Sequence, residues 1–111
     1  MEQVTQYRQY VQDALRRYAE FSPSDQQVEV ELSFDTERDH YQVIHAGWQN
    51  QRRIYGSVLH LDIKNGKIWI QHDGTETGIA NELLHLGVPK EDIVLAFYSP
   101  YHRQFTGFAV S

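Results

Sequence analysis

The dipeptide Asn65-Gly66 sits between two runs that alternate apolar and polar residues, "LHLDIK" before it and "KIWIQ" after it. A two-residue turn that matches strand twist needs positive φ at both central positions, and Asn-Gly supplies it with little strain. The chain is therefore committed to an antiparallel hairpin here, and counting outward gives its register. Lys64 faces Lys67, Ile63 faces Ile68, Asp62 faces Trp69, Leu61 faces Ile70 and His60 faces Gln71. Side chains alternate across a strand, so Leu59, Leu61, Ile63, Ile68 and Ile70 share one face, which is the core side. His60, Asp62, Trp69 and Gln71 share the other.

The rest of the chain adds elements to this hairpin. Residues 3–21 carry Val4, Tyr7, Val11, Leu15 and Tyr18 at helical spacing, with Ala14 on the same side, so they read as an amphipathic helix. It stops near Phe21, because Pro23 disfavours the helical conformation at Ser22. Val28, Val30, Leu32 and Phe34 alternate with Glu29, Glu31 and Ser33, the pattern of a strand with one wet face. Residues 40–48, 52–63 and 67–72 read as three further strands. "IANELLHLG" is a second helix, with Thr77 or Thr75 as its cap and Gly87 as its terminator. Pro89 suits the start of a short helical turn. Ile93 to Phe97 is a short apolar strand, broken by Ser99-Pro100. Phe105, Phe108 and Val110 are expected to dock the C-terminal tail on the domain. The sum is an α+β fold: an antiparallel sheet of four to five strands, an N-terminal amphipathic helix and a second helix near residues 77–86, in one domain over 1–111.

Composition narrows the function. The chain has 15 acidic and 10 basic residues, a net charge of −5. Non-specific DNA affinity comes from lysine and arginine displacing counterions at phosphates, a contribution that an acidic domain lacks overall. Protein partners or small solutes suit it better. There is no cysteine. Disulfides and thiolate zinc sites are excluded, and a cytoplasmic setting fits. The polar start "MEQVTQYRQY" carries no secretory signal, and no apolar stretch reaches the roughly 18 residues of a membrane span.

The densest chemistry lies in "FDTERDHYQVIHAGW", residues 34–48, where Asp35, Glu37, Arg38, Asp39 and His40 follow one another. Asp35, Glu37, Asp39 and His40 are the residues a small metal- or nucleotide-dependent enzyme would use. The segment lies between two alternating strands, where a charged hairpin turn belongs, and that reading is preferred. Of the six histidines, His60 and Asp62 share a face while His72 falls on the other, and no metal-binding helix motif occurs. No metal or cofactor site is expected. The glycines form no phosphate-binding loop, and no serine sits in a nucleophile elbow. The aromatic surface is more informative. Tyr41, His60 and Trp69 are candidate anchors of a partner-binding surface, with Tyr55 and Trp48 beside them. The alternative is that the N-terminal helix or the C-terminal tail covers this face.

Two longer segments carry a resemblance. "FDTERDHYQVIHAGW" and "HLDIKNGKIWIQHDGTETGIANELLHLGVPKEDIVLAFYSPYHRQFTGFAV" are similar to the XisI family, the fdxN-element excision controlling factors of cyanobacteria, over Tyr7 to Val110. The resemblance implies an accessory factor, encoded with XisH and needed for programmed excision of a DNA element during heterocyst differentiation. The recombination chemistry would belong to a separate recombinase, and the endonuclease-like XisH would be the protein partner. The family offers no catalytic residue to carry over, so the chain is expected not to be an enzyme. The rival is a direct DNA-binding directionality factor, which requires Arg38, Arg52, Arg53 and Arg103 to converge on one face. Self-association is left open.

Overall fold

The computed structural model describes residues 2–22 and 27–111. The role assigned to Pro23 falls outside them. The elements are α1 (Glu2–Phe21), β1 (Val28–Asp35), β2 (His40–Gln49), β3 (Arg52–Lys64), β4 (Lys67–Asp73), α2 (Ile79–Leu86), a 3₁₀ turn (Lys90–Asp92), β5 (Ile93–Leu95) and α3 (Pro100–Arg103). The five strands lie in one sheet in chain order, and the first four are antiparallel. β5 runs parallel to β4, so the sheet is mixed. The interposed helix α2 brings the chain back to the end where β4 began, which a hairpin turn cannot do.

One face of the sheet carries the core. Tyr7, Val11 and Leu15 of α1, and Ile79 and Leu83 of α2, pack with Tyr41, Val43, Leu59, Leu61, Ile63, Ile68, Ile70 and Ile93 from the strands. All five residues assigned to the inner face of the Asn-Gly hairpin are buried. Each such aliphatic side chain contributes about 1.5–3 kcal/mol, so this cluster, not any ion pair, makes the helices and sheet cohere.

Three local expectations are corrected. Neither Thr77 nor Thr75 caps α2 in the usual manner. Gly78 precedes the helix, and Asp73, at the end of β4, accepts the Ile79 N–H at 2.8 Å. A carboxylate suits that position because it meets the positive end of the helix dipole. The fifth strand stops at Leu95 rather than Phe97, which is exposed. In the tail, Phe108 packs on the core while Phe105 and Val110 stay exposed. Backbone pairing of Ala109 with Val94 supplies the docking that those side chains do not.

The charged run at residues 35–40 divides into separate tasks. Asp35 accepts the N–H groups of Glu37 and Arg38 at 3.1 and 3.0 Å, closing the β1–β2 turn. Asp39, at φ +59°, turns inward. It accepts Arg8 Nε and Nη2 at 2.8 and 3.1 Å and the Tyr41 hydroxyl at 2.9 Å. This clamp ties the first turns of α1 to the hairpin. A second tie joins the buried Tyr7 hydroxyl to Asp92.

The Arg8 guanidinium, followed by the Tyr41 hydroxyl, holds the Asp39 carboxyl below the usual carboxylate range. A depressed folded value adds stability above the unfolded value of about 3.9 that is lost as pH falls through the folded one. Asp39→Asn tolerates the left-handed backbone but removes the charge. It is expected to cost about 1–2 kcal/mol at neutral pH by denaturant titration and to shrink the acid-side loss of stability below about pH 4. At the other extreme, burial and Asp92 push Tyr7 up to about 12. A raised folded value gives stability that is complete below the unfolded value of about 10 and lost as pH rises toward the folded one. Tyr7→Phe is expected to flatten the decline in thermal midpoint between those pH values, and an unchanged decline would refute the assignment.

Candidate functional site on the outer sheet face

The face of the sheet opposite the helices is set by register. β2 and β3 pair from Gln49–Arg52 through Ile44–Ser57, and then shift to Val43–Leu59. Val58 is the extra residue in this bulge, and its carbonyl accepts the Gly74 N–H at 2.8 Å. One added residue exchanges the faces of a strand. Here it keeps Leu59 and Leu61 on the core side and sets His40 opposite Asp62 and Gln42 opposite His60.

A second bulge alters the β3–β4 hairpin. The pairs from Lys64–Lys67 to Leu61–Ile70 follow the register counted from Asn-Gly, but His60 faces His72 rather than Gln71. Gln71 is the added residue. It stays on the outer face, where its Nε2 donates to Asp62 Oδ2 at 3.2 Å. Asp62 Oδ1 lies 2.8 Å from His40 Nδ1 and 3.0 Å from His60 Nε2. A half-buried carboxylate thus gathers two imidazoles and an amide. The expectation that the histidines do not converge is corrected for His40 and His60, and His72, paired opposite His60 by the same bulge, lies on their face rather than on the other. Of the other histidines, His45 stacks on Tyr18 of α1, 6.4 Å between ring centres, and His102 stacks on Tyr98 at 4.3 Å.

The proposed surface anchors separate. Tyr41 is fully buried; it faces α1, packs on Phe34 with ring centres 5.7 Å apart, and is not a surface residue. Trp69 is on the outer face as expected but is only 9% exposed. Its indole N–H donates to the Lys64 carbonyl at 3.2 Å, and Lys64 Nζ and the Arg103 guanidinium lie over the ring at 4.1 and 5.6 Å. The C-terminal segment therefore helps cover this end of the face. His60 remains accessible, with 32% of its side chain exposed.

The other end of the same face is open. Trp48 and Tyr55 are 51% and 72% exposed. Arg53 lies between them, 5.5 Å from the Trp48 ring and 5.7 Å from the Tyr55 ring. All three project to the outer side, since Trp48 pairs with Arg53 and Ala46 with Tyr55. The backbone fixes this end too. Trp48 N–H donates to the Gln27 carbonyl at 2.9 Å, and a Cβ at Gly47 would stand 1.9 Å from that oxygen, so glycine lets β1 close on β2 there. The sequence signal was available: Trp48, Arg53 and Tyr55 flank the β2–β3 turn at spacings that place them on one face.

The basic residues do not form a single face. Arg38 lies in the β1–β2 turn and Arg52 and Arg53 at the far end of β2. A ten-residue strand, β2, separates them by about 30 Å. Arg103 is turned onto the carbonyls of Tyr98 and Ala96, 3.0 and 3.2 Å away. No described helix is long and apolar enough to cross a membrane.

Comparison with known proteins adds identity to this geometry. The chain resembles a XisI-like protein from Anabaena variabilis, at 50% sequence identity and a TM-score of 0.92, over 96% of this chain and 98% of that one. It also resembles the fdxN element excision controlling factor XisI from the same organism, at 37% identity and a TM-score of 0.86, over 98% of this chain and 99% of that one. A search of curated proteins finds no match. The sequence profile described as XisI protein matches residues 1–110. The chain therefore belongs to the XisI protein family.

Proposed function

We propose that this chain is an accessory factor in the excision of a DNA element, and that it works by holding a protein partner of the XisH type against the outer face of its sheet. The role in excision rests on its likeness to a fdxN element excision controlling factor. The mode of action rests on the open cluster of Trp48, Arg53 and Tyr55. Tryptophan, tyrosine and arginine are the residue types most enriched among interface hot spots. The arginine stacks on both rings, which orders the side chains before binding and lowers the entropy lost on contact.

Direct DNA binding is the weaker reading. The net charge is −5. The arginines it needs are split between two ends of the sheet and the C-terminal segment. Catalysis by the residue 35–40 run is weaker still. Asp35 closes a turn and Asp39 holds a helix, so neither is free to meet a substrate beside His40.

Co-expression with a XisH-type protein is expected to yield a complex on size-exclusion chromatography. Trp48→Ala and Tyr55→Ala are each expected to weaken it about thirtyfold, the scale of a hot-spot loss of about 2 kcal/mol. Lack of association at micromolar concentrations, or a gel shift of DNA by this chain alone that fades with salt, would overturn the proposal.

A further inference from the structure

We propose that His40, His60 and Asp62 form a binding site for one divalent transition-metal ion of the zinc class. This goes beyond the partner-binding reading and does not depend on it.

Each of the three offers a ligand atom, and these atoms lie within 4.8 Å of one another. Two imidazole nitrogens and a carboxylate oxygen are a ligand set for zinc, cobalt or nickel. Three protein ligands leave the remaining coordination positions to water. In a tetrahedral zinc site with bonds of about 2.0–2.2 Å, neighbouring ligand atoms stand about 3.3 Å apart. The two nitrogens here lie 2.8 and 3.0 Å from the same Asp62 oxygen. Lengthening these two distances by a few tenths of an ångström brings them to that spacing, and one cation then replaces two hydrogen bonds.

The scaffold suits this purpose. His40 and Asp62 are directly opposite on paired strands, and His60 is two residues before Asp62 on the same face. Strand positions hold ligands more tightly than loops do. Gln71, aimed by its bulge, bonds the second Asp62 oxygen and fixes the carboxylate, the kind of outer contact that tunes metal affinity. Lys64, on the same face, has its ammonium over the Trp69 ring. Side-chain exposures of 52% for His40 and 32% for His60 leave an entry path from solvent.

The test uses the untagged, metal-stripped full chain titrated with Zn²⁺ alone in a calorimeter. One ion per chain with micromolar or tighter affinity is expected. His40→Ala, His60→Ala and Asp62→Asn should each weaken it at least about tenfold, while His85→Ala and His102→Ala leave it unchanged. None of the three ligands belongs to the core, so circular dichroism should report folded variants. If a variant fails to fold, Co²⁺ bound to the native chain decides: intense visible bands of a low-coordinate site support the assignment, and the weak spectrum of the hydrated ion overturns it. Absence of saturable zinc binding, or binding that survives the paired His40→Ala and His60→Ala change, would also overturn it.

Discussion

One inserted residue governs which side chains this molecule presents to the outside. Strand side chains alternate with a period of two, so every bulge decides between the core and solvent for everything beyond it. Were Val58 paired in step with Val43 rather than bulged out, the β2–β3 pairing counted from the Gln49–Arg52 end would set His40 opposite Leu61. An outward histidine and an inward leucine cannot pair that way. With Val58 bulged out, Tyr41 and Leu61 meet in the core, and His40 meets Asp62 outside. The buried cluster enforces this choice, since reversing it would expose several aliphatic side chains at about 1.5–3 kcal/mol each. The polar group on the outer face is therefore positioned by hydrophobic burial on the inner one.

The clamp at Asp39 acts at a different scale. A partly exposed ion pair contributes little by itself. Its bonds to both Arg8 and the buried Tyr41 hydroxyl instead fix where α1 crosses the hairpin. With both helices on one face, the other is left to Trp48, Arg53, Tyr55 and the His40–Asp62–His60 group, with the C-terminal segment over Trp69. The molecule is thus two-sided, one side spent on cohesion and the other available for recognition.

Much of the fold was legible in the sequence because its signals are local. The helical stripe of Tyr7, Val11 and Leu15, the alternation of β1 and the Asn65-Gly66 turn each carry their structure within a few residues. The parallel placement of β5 was not legible, because a three-residue apolar strand does not reveal which neighbour it joins. The site was only half legible. His60 and Asp62 could be placed on one face by counting, but His40 joins them only through the Val58 bulge, whose one mark in the sequence is the shift of the inward positions from Ile54 and Gly56 to Leu59, Leu61 and Ile63. Tyr41 reads as an aromatic surface residue beside charged neighbours. Its burial follows from cross-strand pairing with Leu61, a long-range fact. Trp69 is covered by Arg103, which lies far along the chain.

The central claim is that recognition belongs to the outer sheet face. The most direct measurement is a titration of the isotope-labelled chain with the XisH-type protein, followed amide by amide in nuclear magnetic resonance. The account predicts that signals from Trp48, Arg53, Tyr55 and His60 shift or broaden first, while those of α1 and α2 stay in place. Changes confined to the two helices, with the outer strand residues untouched, would contradict it.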